Sequence, residues 1–126
     1  MVGRETPGMV QIDERFEALV TILSLSGDIT MGRAHRVSER VRALLHAGRY
    51  HILLDLARVR YVDSAGIGEL VQAYAAVQNR GGALKLLHVG RRLRELLEVS
   101  RLLRVFDAYD TEAEALASFA GHALPR

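Results

Sequence analysis

Residues 50–89 read YHILLDLARVRYVDSAGIGELVQAYAAVQNRGGALKLLHV, and the spacing of apolar residues divides them into three elements. Tyr50 to Leu56 has a continuous apolar centre, which suits a strand covered on both faces. Val59 to Val62 extends it toward Asp63-Ser64-Ala65-Gly66. Beyond that turn, Ile67, Leu70, Val71, Tyr74 and Val77 recur at helical steps and predict a long amphipathic helix, stopped by Gly81-Gly82. Ala83 to Val89 is again a strand run. Strand, helix and strand in that order predict a crossover between parallel strands.

Upstream, Leu19 to Leu25 (LVTILSL) is rich in β-formers and predicts a strand that Ser26-Gly27-Asp28 ends. Met9 to Asp13 carries a weaker strand signal. The short link from Glu14 to Ala18 makes these two strands antiparallel. Residues 30–47 predict a helix with Ala34, Val37, Val41, Leu44 and Leu45 in one apolar stripe. Arg33, Arg36, Glu39, Arg40 and Arg42 fall on its solvated side. Thr30 is placed to cap its start and Gly48 to end it.

Downstream, Leu93, Leu96 and Leu97 mark a short helix from about Arg91, and Val105 to Tyr109 a last strand. A final helix begins at the capping-box pattern Thr111-Glu112-Ala113-Glu114, with Leu116, Phe119 and Ala120 facing inward. The order β-β-α-β-α-β-α-β-α predicts one α/β domain, with a mixed, mostly parallel sheet and helices mainly on one side. Leu23, Leu54, Leu70, Val71, Leu86 and Phe119 are expected in its core. Residues 1–8 read as a flexible leader, 9–120 as the domain and 121–126 as a tail.

Composition excludes several classes of function. The chain has 126 residues, 49% apolar and 25% charged, which fits one globular core and not a disordered chain. It has no cysteine, so disulfide scaffolds, thiolate metal sites and thiol nucleophiles drop out. No apolar run approaches the roughly 20 residues of a membrane span, and MVGRETPG has no signal-like apolar region. A cytoplasmic protein with no direct membrane insertion is expected. A net charge of +2 and scattered aromatics give no nucleic-acid surface.

Catalytic patterns are missing too. There is no phosphate loop, and Gly66-Ile67-Gly68 lacks the third glycine of a dinucleotide fingerprint. His35, His46, His51, His88 and His122 form no metal-ligand spacing, although His51 and His88 lie on strands that could bring them together. Ser64 is not in a nucleophile elbow. Asp55 lies on a central strand, but the first strand does not deliver the acidic pair that would hold a metal ion in a receiver domain. Neither catalytic residues nor a cofactor or metal is expected.

The remaining sharp feature is Val62-Asp63-Ser64-Ala65-Gly66-Ile67-Gly68-Glu69-Leu70, a strand end running through a small polar turn into a helix N-terminus. Two readings of it stand. Asp63 and Ser64 could simply cap the helix, with Gly66 and Gly68 allowing close packing. Alternatively, the hydroxyl of Ser64 could accept a phosphate beside the unpaired N–H groups of the first turn.

The element order over residues 9–120, the D-S-A-G turn, the preceding strand with its Asp-Leu, the Gly-Gly before the next strand and the L-x-x-L-L segment near the end together resemble the STAS domain of bacterial anti-sigma factor antagonists. That resemblance implies a protein that binds an anti-sigma factor, commonly a serine kinase, and so releases a sigma factor. It implies Ser64 as phosphoacceptor, with phosphorylation breaking the complex and a Ser/Thr phosphatase restoring it. The implied partner surface is the start of the helix after the turn and the loop around Gly27-Asp28. Because helix N-termini and strand-end loops share one end of such a sheet, Gly27, Asp28, Thr30, Asp63, Ser64, Ala65, Gly66, Ile67 and Leu70 are expected to carry binding, with Ile67 an exposed or half-exposed apolar contact. Two positions depart from the family pattern. Gly27-Asp28-Ile29-Thr30 has Thr30 where a carboxylate is common, and Ala65 replaces a second hydroxyl residue. The D-S-A-G turn also resembles the STAS subunits of phospholipid-transport complexes, which leaves a non-catalytic subunit or signalling scaffold as the alternative.

Overall fold

The computed structural model describes residues 10–30 and 35–120. Among these residues nine elements follow one another: β1 (Gln11–Glu17), β2 (Val20–Ile29), α1 (His35–His46), β3 (His51–Val62), α2 (Ser64–Asn79), β4 (Ala83–Leu87), α3 (Arg91–Val99), β5 (Ala108–Tyr109) and α4 (Glu112–Phe119). The five strands form one sheet in sequence order. β1 is antiparallel to β2, and every later pairing is parallel. The mixed, mostly parallel sheet is the one the element order predicts.

β3 is central, and its alternation shows why its apolar run is continuous. Ile52, Leu54 and Leu56 join the larger core beneath α1, α2 and α3. Leu53 joins a smaller cluster on the other face, with Val20, Ile22, Leu87 and two residues of α4, Ala115 and Phe119. Leu23, Leu54, Leu70, Leu86 and Phe119 are all buried as expected, whereas Val71 is half-buried against the core. Among the described residues, three helices share one face and α4 alone covers the other, so Phe119 belongs to the second cluster.

Local chemistry sets the helix ends. α1 closes with Gly48 at φ +81°, where the Gly48 N–H donates to Leu45 O and the Arg49 N–H to Leu44 O. α2 closes the same way through Gly81, at φ +74°, with the Gly82 N–H donating to Val77 O. These paired bonds satisfy carbonyls that the last helical turn leaves open. Thr111 caps α4, its Oγ1 accepting from the Glu114 N–H at 3.2 Å. In α4 it is Ala115, with Phe119, that is buried; Ala120 is exposed, contrary to expectation.

Other boundaries move. β1 runs to Glu17 and turns on two residues, Ala18-Leu19, with Ala18 at φ +55°. That turn has no glycine or asparagine to announce it, and the charged stretch Asp13-Glu14-Arg15 occupies an edge strand. β2 passes through Gly27-Asp28 to Ile29, because two register shifts place extra residues in β3 and keep the pairing going. The last strand shrinks to Ala108–Tyr109, while Phe106 turns inward to meet Tyr74 edge-on at 5.3 Å. α1 is described from His35; Arg33 and Ala34, and part of the expected first turn after Thr30, lie outside the described residues, as do the leader, the tail and His122.

Candidate functional site at the start of helix α2

The D-S-A-G turn sits where β3 hands over to α2. Val62 is buried at the end of β3, and the next N–H, of Asp63, donates to Ile29 O at the end of β2 at 3.4 Å. Asp63 has extended backbone angles and is the N-cap: its Oδ1 accepts from the Gly66 N–H at 2.8 Å. The Ile67 N–H then donates to Asp63 O at 3.0 Å, the first bond of the helix. Capping is therefore Asp63's role, and the exposed Ser64 occupies the first helical position.

Gly66 explains why the turn can lie so close to the sheet. A Cβ there would stand 2.0 Å from Ile29 O and 2.9 Å from Val62 Cγ1. Gly68 has open space around it, so the packing reading holds for Gly66 and not for Gly68.

The structure brings the strand-end residues to one edge. β2 and β3 pair through Asp28 opposite Tyr61 and Ile29 opposite Val62, so Gly27, Asp28 and Thr30 end up beside the turn. All three are half-buried, and Gly27 has φ +95°. Asp28 forms an ion pair with Arg60 at 3.3 Å. Ala65 is half-buried.

Three of the expected contact residues do not reach the surface. Ile67 is 6% exposed, Leu70 is wholly buried and Gly66 is buried. The expectation of an exposed Ile67 is thus corrected. Ile67 lies on the core stripe of α2 together with Leu70, Ala73 and Val77, and the helix start is pressed onto the sheet too tightly to show it.

Sequence reading missed several groups near this edge. Tyr61 is 45% exposed, and the Arg92 guanidinium lies 5.8 Å from its ring centroid. Arg60, paired with Asp28, is exposed as well. Their place at the end of a bulged strand gave no periodic signal. Glu69 is buried, and its Oε2 accepts from the Ser38 N–H at 2.9 Å. Ser38 lies in the first turn of α1, so this bond ties the start of α1 to α2.

The histidines engage different partners. His51 is buried with its ring 5.6 Å from that of Phe119, and His88 Nδ1 lies 3.0 Å from Asp55 Oδ1. No cluster suited to a metal ion occurs among the described residues, and none of their helices is long and apolar enough to cross a membrane.

Comparison with known proteins adds the following. Residues 9–115 match the STAS domain family. The anti-sigma F factor antagonist of Paenibacillus polymyxa is 30% identical over 112 residues, covering 85% of this chain and 92% of its own. Among solved structures, an anti-sigma factor antagonist from Mycobacterium paratuberculosis superposes with a TM-score of 0.77 at 21% identity, over 93% of this chain and 99% of its own. The phosphorylated form of the Bacillus cell fate determinant SpoIIAA gives 0.67 at 17% identity, over 86% and 98%. At those identities the two structures speak for the fold.

Proposed function

We infer the function from the premise that this chain belongs to the STAS domain family of anti-sigma factor antagonists. It acts in the cytoplasm, binds an anti-sigma factor that is also a serine kinase, and so releases a sigma factor. Phosphorylation of Ser64 breaks the complex, and a Ser/Thr phosphatase reverses the change. The chain itself turns nothing over and needs no cofactor.

The observation that carries this reading is the exposed Ser64 at the first position of α2, where Asp63 and not the serine provides the cap. A kinase can reach it without opening the fold. Phosphate would add about −1.5 to −2 charges there. The helix N-terminus favours an anion by roughly 0.3–1 kcal/mol, while the neighbouring Asp63 opposes it through screened repulsion. The two effects nearly cancel within the domain. Across a contact built around a neutral hydroxyl nothing offsets the dianion, and a loss of about 3 kcal/mol weakens binding by more than a hundredfold.

With Gly66, Ile67 and Leu70 buried, the partner surface reduces to Gly27, Asp28, Thr30, Asp63, Ser64 and Ala65, extended by Arg60 and Tyr61. The test is a pull-down from native lysate with the unphosphorylated protein. Capture of an anti-sigma factor, lost on Ser64→Glu and kept on Ser64→Ala, is the expected result. Recovery of a transport ATPase instead would overturn the reading.

A further inference from the structure

β1 is an edge of the sheet, and among the described residues no strand pairs with its outer side. It runs for seven residues in unbroken register with β2 and contains no proline. Edges that must stay single are usually short, bulged, interrupted or charged; β1 is neither short nor bulged, and its charges, Asp13, Glu14, Arg15 and Glu17, are what a second strand would have to match.

The hairpin geometry decides which backbone groups face outward. Ala18-Leu19 is a two-residue turn, so Glu17 and Val20 form its closing pair. Such a pair exchanges its backbone hydrogen bonds, and alternation then directs the N–H and C=O of Gln11, Asp13, Arg15 and Glu17 toward β2. Those of Ile12, Glu14 and Phe16 point away from the sheet.

The strand sequence Gln11-Ile12-Asp13-Glu14-Arg15-Phe16-Glu17 is self-complementary when laid antiparallel on a copy of itself about Glu14. Ile12 then opposes Phe16 of the second copy, Asp13 opposes Arg15, and Gln11 opposes Glu17. The hydrogen-bonding pairs fall on residues 12, 14 and 16, the ones whose backbone faces outward. Asp13 and Arg15 fall in the non-hydrogen-bonded pairs, where facing side chains come closest. Moving the centre to Asp13 or to Arg15 would oppose like charges instead. The one like pair in the favoured register, Glu14 against Glu14, is offset by Arg40 of α1, which lies 3.2 Å from each Glu14 in its own copy. Phe16, 49% exposed in the single chain, gains an apolar neighbour.

We propose that β1 is a homodimer interface, at which a second copy of this chain adds its own β1 antiparallel about Glu14 to make one continuous sheet. The two-fold axis stands perpendicular to that sheet, so the parallel strands of the two copies run in opposite directions. The two Ser64 turns then lie at opposite ends, and the dimer leaves both open.

Sedimentation equilibrium of the full chain tests this. The wild type is expected to show a reversible, concentration-dependent dimer. Asp13→Arg and Arg15→Asp, each alone, oppose like charges at two symmetric places and should weaken the dimer by about tenfold or more. Mixed in equal amounts, the two variants restore opposite charges at both places and should form a heterodimer of near wild-type strength. Glu14→Pro removes an N–H that β1 does not give to β2, along with the ion pair to Arg40, and should leave a monomer with the circular dichroism spectrum of the folded wild type. A wild type that stays monomeric at about millimolar concentration would overturn the proposal, whether solvent or residues 1–9 cover the edge. So would an Asp13→Arg variant that dimerises like the wild type, or a mixture that forms no heterodimer.

Discussion

Asp63, Ser64 and Gly66 divide three tasks among four consecutive positions. Asp63 satisfies the helix end, Ser64 is left at the surface, and Gly66 lets the turn approach Ile29. Loss of the cap in Asp63→Ala should cost about 1 kcal/mol and lower the thermal midpoint by about 3–5 °C. Calorimetry on the purified variant measures it; an unchanged midpoint would mean that the 2.8 Å bond to the Gly66 N–H carries no weight. The two glycines should separate in opposite directions. Gly66→Ala forces the chain off Ile29 and should destabilise by about 2–3 kcal/mol. Gly68→Ala meets open space within a helix and should stabilise by about 0.5–1 kcal/mol. Urea denaturation of both variants checks the pair. The sequence placed both glycines in the same role, since spacing alone does not report how near the facing strand lies.

Among the elements, α2 is the one through which the site meets the core. Ile67, Leu70, Ala73 and Val77 hold it to the sheet, and Glu69 holds the start of α1 through the Ser38 N–H. Ile67→Asp should therefore act on the fold first. Placing a carboxylate among buried apolar side chains, with the isoleucine packing lost, should cost about 3 kcal/mol or more. Circular dichroism during heating should show a large fall in the midpoint; a variant as stable as the wild type would mean that Ile67 is accessible after all. The helical stripe was legible in the sequence because the apolar steps are regular. The exposure of its first member was not, because a stripe fixes a face and not how closely the helix end approaches its neighbours. β1 was misplaced for a related reason: the Ala18-Leu19 turn contains no residue that favours a positive φ. Charges at Asp13, Glu14 and Arg15 then imitate a loop. The glycine-ended helices α1 and α2 and the Thr111 cap, whose chemistry is local, were read correctly.

For the whole molecule, the pairing of β2 with β3 puts Ser64, Asp28, Thr30 and Arg60 at one edge, where these two strands end. A change of charge at that edge should alter binding while leaving both cores intact. The serines elsewhere sharpen the choice of phosphoacceptor: Ser38 is buried in α1, whereas Ser100 is exposed at the end of α3. The most direct measurement is calorimetric titration of the anti-sigma factor recovered by pull-down with wild type, Ser64→Ala and Ser64→Glu. The same partner is then incubated with wild type and ATP, and the phosphopeptide is mapped by mass spectrometry. Phosphate is expected on Ser64, with near wild-type affinity for Ser64→Ala, a loss of at least about a hundredfold for Ser64→Glu, and all three proteins equally folded. Equal affinity of the three, or stoichiometric phosphate on Ser100 with Ser64 unmodified, would contradict it.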